Sequence, residues 1–452
     1  MKNVLKQAFS LMLVILISII KVNAQETTSE IQGTVTSGAT GLAGVSVTAV
    51  HQPTGTKYST TTRTDGRYNL INLKVGGPYL VEVSYVGFKK DQQNDINLLL
   101  GQAFRANFKL VEASNTLQEV VVRSTSQDKV FSTSRTGSQD NFNRNQITSL
   151  PTISRSYKDI IKLTPTYNGM SFGGQSSQLN NITIDGANFN NSFGLSGDIG
   201  GQTGHVAVSL DAIEQIQVNI SPFDVRQGGF VGGNVNSVSR SGANTATGSV
   251  YQYMKSKDWQ GYEVNAAPYT QVVPKQDFSY DLKGFTVGGA LIKNKLFYFV
   301  NAEQEERSAP ANTWTASTSS SAPNGTTVSA AKASDLDALA AFLKTKYNYD
   351  PGPYQNYPYL AKSKRLTAKI DWNIDENNTF SLKYSYLKSS SDIAPSNSGS
   401  VGRRQADATA LPFYGAGYVI NNNANIFIAE LNTKFSNRMS NKLQVGLSLI
   451  HI

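Results

Sequence analysis

Chemistry at protein sites is done by a short list of side chains, and this chain is poor in them. Its 452 residues hold three histidines, His51, His205 and His451, and no cysteine. Without thiols, disulfide scaffolds, thiolate metal sites, cysteine nucleophiles and the lipid-modified cysteine of a lipoprotein are all excluded. The histidines are far apart, none belongs to an H-E-x-x-H pair, and no G-x-S-x-G elbow occurs. They read as solvated or hydrogen-bonded structural side chains. No nucleophile, base and orienting group can be assembled, so an exported hydrolase is set aside. The expectation is a protein that is not an enzyme and needs no cofactor and no metal. A formal charge of +9 raises nucleic acid as a partner, but the basic residues are scattered in pairs such as Lys89-Lys90 and Arg403-Arg404. They form no stripe, and no nucleic-acid partner is expected.

The N-terminus reads as an export signal. Lys2 and Lys6 supply positive charge, an apolar run extends from Ala8 to Ile20, and Val22-Asn23-Ala24 offers small residues for cleavage. The run is shorter than the roughly 20 residues that span a bilayer as a helix. Residues 1–24 are therefore expected to be removed, with cleavage between Ala24 and Gln25. No other uninterrupted apolar stretch follows, so any later membrane crossing must be made by strands with alternate residues facing lipid.

From Glu30 to Leu110 short alternating runs are separated by turn residues, the pattern of a small β-sandwich. Strands are expected at Ile31–Val35, Val45–Val50, Tyr68–Leu73 and Tyr79–Tyr85, with Asp65-Gly66 turning a tight hairpin. The words G-T-V, G-L-A-G-V-S-V, T-D-G-R-Y and Y-L-V-E-V-S-Y-V-G-F resemble the carboxypeptidase regulatory-like domain. That resemblance implies an accessory sandwich without catalytic residues, over residues 25–110.

Residues 111–136 turn polar except for one island, Leu117-Gln118-Glu119-Val120-Val121-Val122. A run of β-branched residues in a linker exposes a sticky edge unless something pairs with it. It suits a strand donated to a partner, where backbone hydrogen bonds supply affinity; the other reading is a strand that pads a neighbouring domain. The island resembles the TonB box, the segment that plugged outer-membrane receptors offer to the energy-transducing protein TonB.

Residues 137–246 are rich in Asn, Gly and Ser and suit a compact mixed α/β domain. A helix is expected over Ser154–Leu163, with Ser154 as its cap, and strands over Leu179–Ile184 and Ala212–Ile220. The blocks R-S-Y-K-D-I-I-K-L-T-P, N-N-I-T-I-D-G-A and S-L-D-A-I-E-Q-I-Q-V-N-I-S-P-F-D-V-R-Q-G-G-F-V-G-G-N-V-N resemble the plug domain of TonB-dependent receptors, in the Oar-like branch. By that resemblance Asp185-Gly186 ends a strand of the plug sheet. Gly228-Gly229 and Gly232-Gly233 form its glycine-rich approach to the surrounding barrel.

The remainder, residues 247–452, alternates. Leu366, Ala368, Ile370, Trp372 and Ile374 share one side, Arg365, Thr367, Lys369, Asp371 and Asn373 the other. Phe380–Tyr386, Phe285–Leu291, Phe427–Phe435 and Leu443–Leu449 repeat the pattern. Short turns at Lys293–Lys295, Asp375–Asn378 and Asn437–Asn441 alternate with long segments at Arg307–Lys362 and Ser389–Asn423. Lipid outside, water inside, short periplasmic turns and long external loops would produce this. About seven strands cannot close the roughly 22-stranded barrel of a plugged transporter, so the sequence reads as the N-terminal part of a longer protein.

The fold class expected is mainly β: a sandwich, a mixed α/β plug, and the first strands of an incomplete transmembrane antiparallel barrel. The function implied is TonB-dependent transport across the outer membrane of a Gram-negative bacterium. The partners would be TonB, outer-membrane lipid and an unidentified cargo, a glycan or a peptide. The competing reading is a surface adhesin that moves nothing. Tyr354, Tyr357 and Tyr359 suit sugar stacking, an interfacial aromatic girdle or loop packing equally.

Overall fold

The computed structural model describes residues 26–113, 122–124, 139–220 and 227–451, apart from residues 153, 170, 192, 195, 262, 267–268, 273–276, 397–403 and 438. Three bodies of β-structure follow one another along it.

The first is the sandwich. In one sheet Ser29–Ser37 pairs antiparallel with Arg67–Leu73 and parallel with the short strands Ala103–Arg105 and Phe108–Lys109. The other sheet runs in the order Thr56–Thr61, Ser46–His51, Gly76–Ser84, Asp91–Leu98. Alternation places Val47, Ala49, Tyr79, Val81 and Val83 on the face that meets Ile31 and Leu70. The Asp65-Gly66 turn, with Gly66 at φ 76°, does not close a hairpin. It carries the chain from Thr56–Thr61 in one sheet to Arg67–Leu73 in the other. The local turn chemistry was right; the pairing partner was not, because tertiary packing of two sheets decides it.

The second body is a mixed sheet in the order Gln139–Phe142, Ile213–Asn219, Asn234–Ser239, Asn181–Ile184, Ala187–Asn188. Asn234–Ser239 runs parallel to Asn181–Ile184 and antiparallel to Ile213–Asn219. The expected helix is shorter, Tyr157–Ile161, and its cap is Ser156, whose side chain accepts from the Lys158 amide. Ser154 instead donates from its amide and hydroxyl to Asp159, at 2.7 and 2.9 Å. An additional helix, Arg144–Ser149, starts in a capping box made by Asn143 and Gln146. Ile147, Ile160, Ile184, Ile216 and Val235 form the core.

The third is an open antiparallel sheet, seven-stranded among the described residues: Thr247–Ser256, Ser279–Ile292, Leu296–Pro310, Pro358–Asn373, Asn378–Ile393, Tyr418–Ser436 and Met439–His451. Its strands outrun the alternating segments that announce them. The chain stays paired up to Pro310, from Pro358, up to Ile393 and from Tyr418, so the long loops are shorter than the sequence suggests. One of them carries a helix of its own, Ala333–Tyr347. The polar strand ends bury little apolar surface, so they leave no hydrophobic period to read.

The two faces of this sheet are inverted relative to a soluble protein. Ser363, Arg365, Thr367, Lys369, Lys383 and Ser385 are buried, whereas Ile370, Trp372, Leu382 and Phe427 are about two-fifths exposed. Across the strands Tyr298, Ile370, Leu382, Ala429 and Val445 stand in register as one outward row. An apolar exterior and a polar interior is the arrangement of a barrel wall in lipid. The interior is filled by the plug, whose core continues directly into Phe299, Leu387, Ile426 and Ile428 of the wall.

Candidate functional site: the contact between plug and wall

Two polar fastenings hold the plug against the wall. At the first, Asp185 and Gly186 form the turn after Asn181–Ile184, with φ of 48° and 76°. The left-handed backbone suits an Asp-Gly pair. The Asp185 carboxylate accepts from the Ser239 amide at 2.8 Å and the Ser239 hydroxyl at 2.6 Å, and lies 2.6 Å from Nζ of Lys383 on the wall. The Asp185 carbonyl accepts from Nε2 of Gln444, on another wall strand, at 2.7 Å. A Cβ at Gly186 would stand 2.6 Å from that Gln444 side chain, so only glycine lets the turn come this close. Burial opposes the charge on Asp185, but Lys383, Lys369 and the Ser239 hydroxyl outweigh it and hold the carboxyl well below the usual range.

At the second fastening, Ser209 of the plug donates to Oε1 of Glu303 at 2.5 Å, and Tyr251 donates to the same oxygen at 2.8 Å. Nη2 of Arg365 bridges Glu303 and Glu305, at 2.9 and 2.8 Å. Arg307 donates to the plug carbonyl of Gly204 at 2.7 Å, and Thr203 donates to Ser389 of the wall at 2.8 Å. His205 is buried, with Nδ1 3.4 Å from Glu305. Burial lowers its pKa more than the neighbouring Glu305 raises it, so it stays neutral near pH 7. Inside the plug, Asp211 receives both Arg144 and Arg155. Buried ionic networks of this kind add little net stability but fix orientation, and losing one partner is costly. These groups can seat a plug and release it contact by contact. Among the described residues no group of three or more potential ligands could hold a metal ion.

Of the residues singled out from sequence, Asp185 and Gly186 are at the heart of the first fastening. Gly232 and Gly233 are not directed at the barrel: a Cβ on either would overlap Asn180 or the Phe172 ring, so both serve packing within the plug. Gly228 and Gly229 face open space, and Gly229 needs its φ of 82°. Leu117–Val121, Ala24 and Gln25 lie outside the described residues. Val122 opens a short strand, Val122–Ser124, paired parallel with Gln92–Asn94 at the edge of the sandwich.

Sequence reasoning placed Arg365, Lys369 and Lys383 on the polar face but named none of them as a contact, and it did not single out Glu303, Glu305, Ser209 or Gln444. A usable signal existed in the charges at alternate positions, Glu303, Glu305 and Arg307, in a strand that opens with the apolar run Leu296–Val300. It also missed the central strand Asn234–Ser239, which is wholly buried. Its asparagines pair sideways, Asn181 with Asn234 and Thr183 with Asn236, each at 3.0 Å.

Comparison with known proteins agrees with this architecture. Residues 30–111 match the carboxypeptidase regulatory-like domain, and residues 238–452 match an outer membrane beta barrel domain. The TonB-dependent transporter Oar of Myxococcus xanthus is 25% identical over 269 residues, covering 57% of this chain. Over that stretch the chain is similar to an Oar-like TonB-dependent transporter. It spans about a quarter (24%) of that transporter's length. Among solved structures, the outer membrane transporter YddB of Escherichia coli is similar over 69% of this chain and 39% of its own, at 13% identity and a TM-score of 0.44. The siderophore receptor PirA of Acinetobacter baumannii is similar over 69% and 47%, at 15% identity and a TM-score of 0.38. The relatives are transporters and receptors, and the matched barrel domain is one of the outer membrane.

Proposed function

We propose that this chain provides the docking sandwich, plug and opening wall of a transporter that moves a cargo across the outer membrane when TonB pulls on its tether. In this reading residues 1–24 are removed between Ala24 and Gln25. Residues 25–110 form the sandwich, 111–136 the tether, 137–246 the plug and 247–452 the wall. The observation that carries it is the pairing of an outward apolar face with an inward polar face seated on a plug by separable contacts. These polar contacts stand beside the apolar contact with Phe299, Leu387, Ile426 and Ile428 of the wall and can be made and broken one at a time.

TonB would engage Leu117, Gln118, Glu119, Val120, Val121 and Val122 as an added strand. A tether of β-branched residues between two folded bodies supports that role, since strand addition takes its affinity from the backbone. The cargo reading, a glycan or a peptide, draws on the lumen side of the external loops. By strand parity Tyr359 falls on the side of Ser363 and Arg365, not on the lipid side. Its ring meets Tyr357 at 5.8 Å, and Tyr357 meets Tyr414 at 5.6 Å. Tyr357, Tyr359, Asn312 and Gln405 border a cavity of about 210 Å³. Uncharged, aromatic and amide-bearing walls suit sugar rings or peptide planes.

The reading is tested by a disulfide trap in energised cells, using Val121→Cys in the full-length, otherwise cysteine-free receptor and single cysteines along the exposed edge strand of TonB. Cross-links at alternate TonB positions are expected. An assembled receptor that forms none, at any TonB position, contradicts it.

A further inference from the structure

The N-terminal sandwich touches both the plug and the wall. On the plug side, Gln215 donates to the Leu98 carbonyl at 2.9 Å and accepts from the Leu100 amide at 3.0 Å, while Gln217 donates to the Leu100 carbonyl at 2.7 Å. Val75 and Leu100 of the sandwich pack with Val238 of the plug. On the wall side, four contacts lie at the short-turn end of the strands. Lys74 pairs with Asp371 at 3.3 Å, Asn373 donates to Thr56 at 2.8 Å, Asn437 donates to Thr61 at 2.8 Å, and Lys434 donates to the Ser59 carbonyl. These sandwich residues come from several of its strands and loops, so the docking is that of a whole body and not of a trailing end.

The order of segments along the chain gives this docking a mechanical meaning. The tether island lies between two anchored bodies. From Ala113, where the sandwich ends, to Leu117 there are four residues, and from Val122 to Gln139, where the plug begins, there are seventeen. Fully extended, the first lead reaches about 14 Å and the second about 60 Å. Val122–Ser124 is itself paired with the sandwich edge, which ties the far side of the island to the same body. A pull on the island therefore reaches the sandwich through the shorter lead and through Val122–Ser124, and reaches the plug only through the longer one.

We propose that the sandwich is a latch that clips the plug to the short-turn rim of the wall, and that it must undock before the plug can leave. The latch residues are Lys74 and Asp371, Thr56 and Asn373, and the Gln215–Gln217 grip on Leu98–Leu100. The inference rests on the reading that force enters at Leu117–Val122. It adds an order of events: undocking of the sandwich, then tension on the plug.

The test locks the latch. A Cβ built on Gly55 of the sandwich would lie 3.5 Å from Cβ of Asn294 in a wall turn, within the span of a disulfide. These 452 residues contain no cysteine, so with any cysteine elsewhere in the full-length protein replaced by serine, Gly55→Cys with Asn294→Cys gives one defined cross-link. The full-length protein is held in a supported bilayer and pulled through a covalent, thiol-free handle at residue 121. With the pair reduced, a low-force undocking step should precede plug release. With the pair oxidised, that step should vanish and the force for plug release should at least double. Sandwich unfolding from the disulfide to the tether, about 200 Å of chain, should then come first. Lys74→Ala with Asn437→Ala should lower the force of the first step. Plug release at the same force in both redox states, or plug release while the sandwich stays docked, overturns the latch. Repeating the pull with the periplasmic domain of TonB in place of the covalent handle separates the two ideas. Two-step release by the handle with no engagement by TonB leaves the latch standing and removes the TonB-box reading.

Discussion

Removing the wall lysine at the first fastening gives the most quantitative consequence of this arrangement. Lys383→Met keeps the length and apolar stem of the side chain but withdraws the cation that stands 2.6 Å from Asp185. The carboxylate retains the Ser239 amide and hydroxyl but becomes a buried anion without its main counter-charge. Breaking one side of such a pair costs about 3–5 kcal/mol, and the lower end applies because two hydrogen bonds and the more distant Lys369 remain. In full-length receptor in native membranes, the urea concentration at which half the plug becomes cleavable by trypsin measures the loss. With a slope of about 2 kcal/mol per molar urea, 3 kcal/mol moves that midpoint down by about 1.5 M. The pH dependence carries a second sign. In the wild type Asp185 is depressed below its unfolded value of 3.8; its contribution is therefore fully present above about pH 4 and lost only as pH falls below that, so the midpoint is flat in this group from pH 8 to 5. In Lys383→Met the opposing effect of burial dominates, the carboxyl takes up a proton more readily, and the plug gains stability as pH falls. Asp185→Asn combined with Lys383→Met should recover most of the loss, because no charge is left to bury. A Lys383→Met midpoint within about 0.3 M of wild type, under 1 kcal/mol, would falsify the claim that this pair fastens the plug.

Three further outcomes are expected. Gly233→Ala drives a methyl group into the Phe172 ring and should cost the plug about 1–3 kcal/mol, read by the same trypsin midpoint, while Gly228→Ala, in open space, leaves it unchanged. Ile370→Arg puts a charge in the outward row of the wall and should cost about 2–4 kcal/mol if that row sits in the bilayer centre; impaired assembly, seen as loss of the heat-modifiable band on gels, is the readout, and full assembly speaks against a lipid-facing row. His51 is pushed down to about 3, by burial first and by Lys74 second, so below about pH 6.5 the unfolded sandwich binds a proton the folded one does not. Stability falls with falling pH, by about 2 kcal/mol at pH 5, and the hydrogen-exchange protection factors of the sandwich strands, corrected for the intrinsic exchange rate at each pH, should fall accordingly in the full-length protein but not in His51→Gln.

Much of the fold was legible because burial imposes a period on the chain. The alternation of Leu366 to Trp372 against Arg365 to Asp371 named the two faces of the wall correctly, since lipid and lumen ask for opposite side chains at every second position. The core strands of the sandwich were found for the same reason. What escaped was polar structure held by side-chain pairing. Asn234–Ser239 has no apolar period, yet it lies at the centre of the plug sheet because Asn234 and Asn236 accept hydrogen bonds from Asn181 and Thr183 on the next strand. The upper ends of the wall strands, such as Ser389–Ile393, are paired but polar, and so they read as loops. The site was half legible. Asp185-Gly186 announced a turn by its own backbone chemistry, but its partner Lys383 is 198 residues away in sequence, and nothing local marks one lysine of a polar face as the one a plug will meet. The sandwich's hold on the wall through Lys74 and Asp371 is invisible for the same reason.

The central claim, that a strand in the tether couples the plug to TonB, is tested most directly by the affinity of the periplasmic domain of TonB for the purified full-length receptor and two variants at one position. Strand addition depends on backbone donors and on an extended backbone. Val121→Pro removes an N–H and fixes φ, whereas Val121→Ala removes only side-chain atoms. The account predicts that proline weakens binding at least about tenfold, the loss of one or two backbone hydrogen bonds, with unchanged export and assembly, and that alanine changes it by less than about threefold. Equal affinities for the proline variant and wild type would contradict it, and a proline variant that fails to assemble would show that Leu117–Val122 is instead a structural strand of the sandwich or plug.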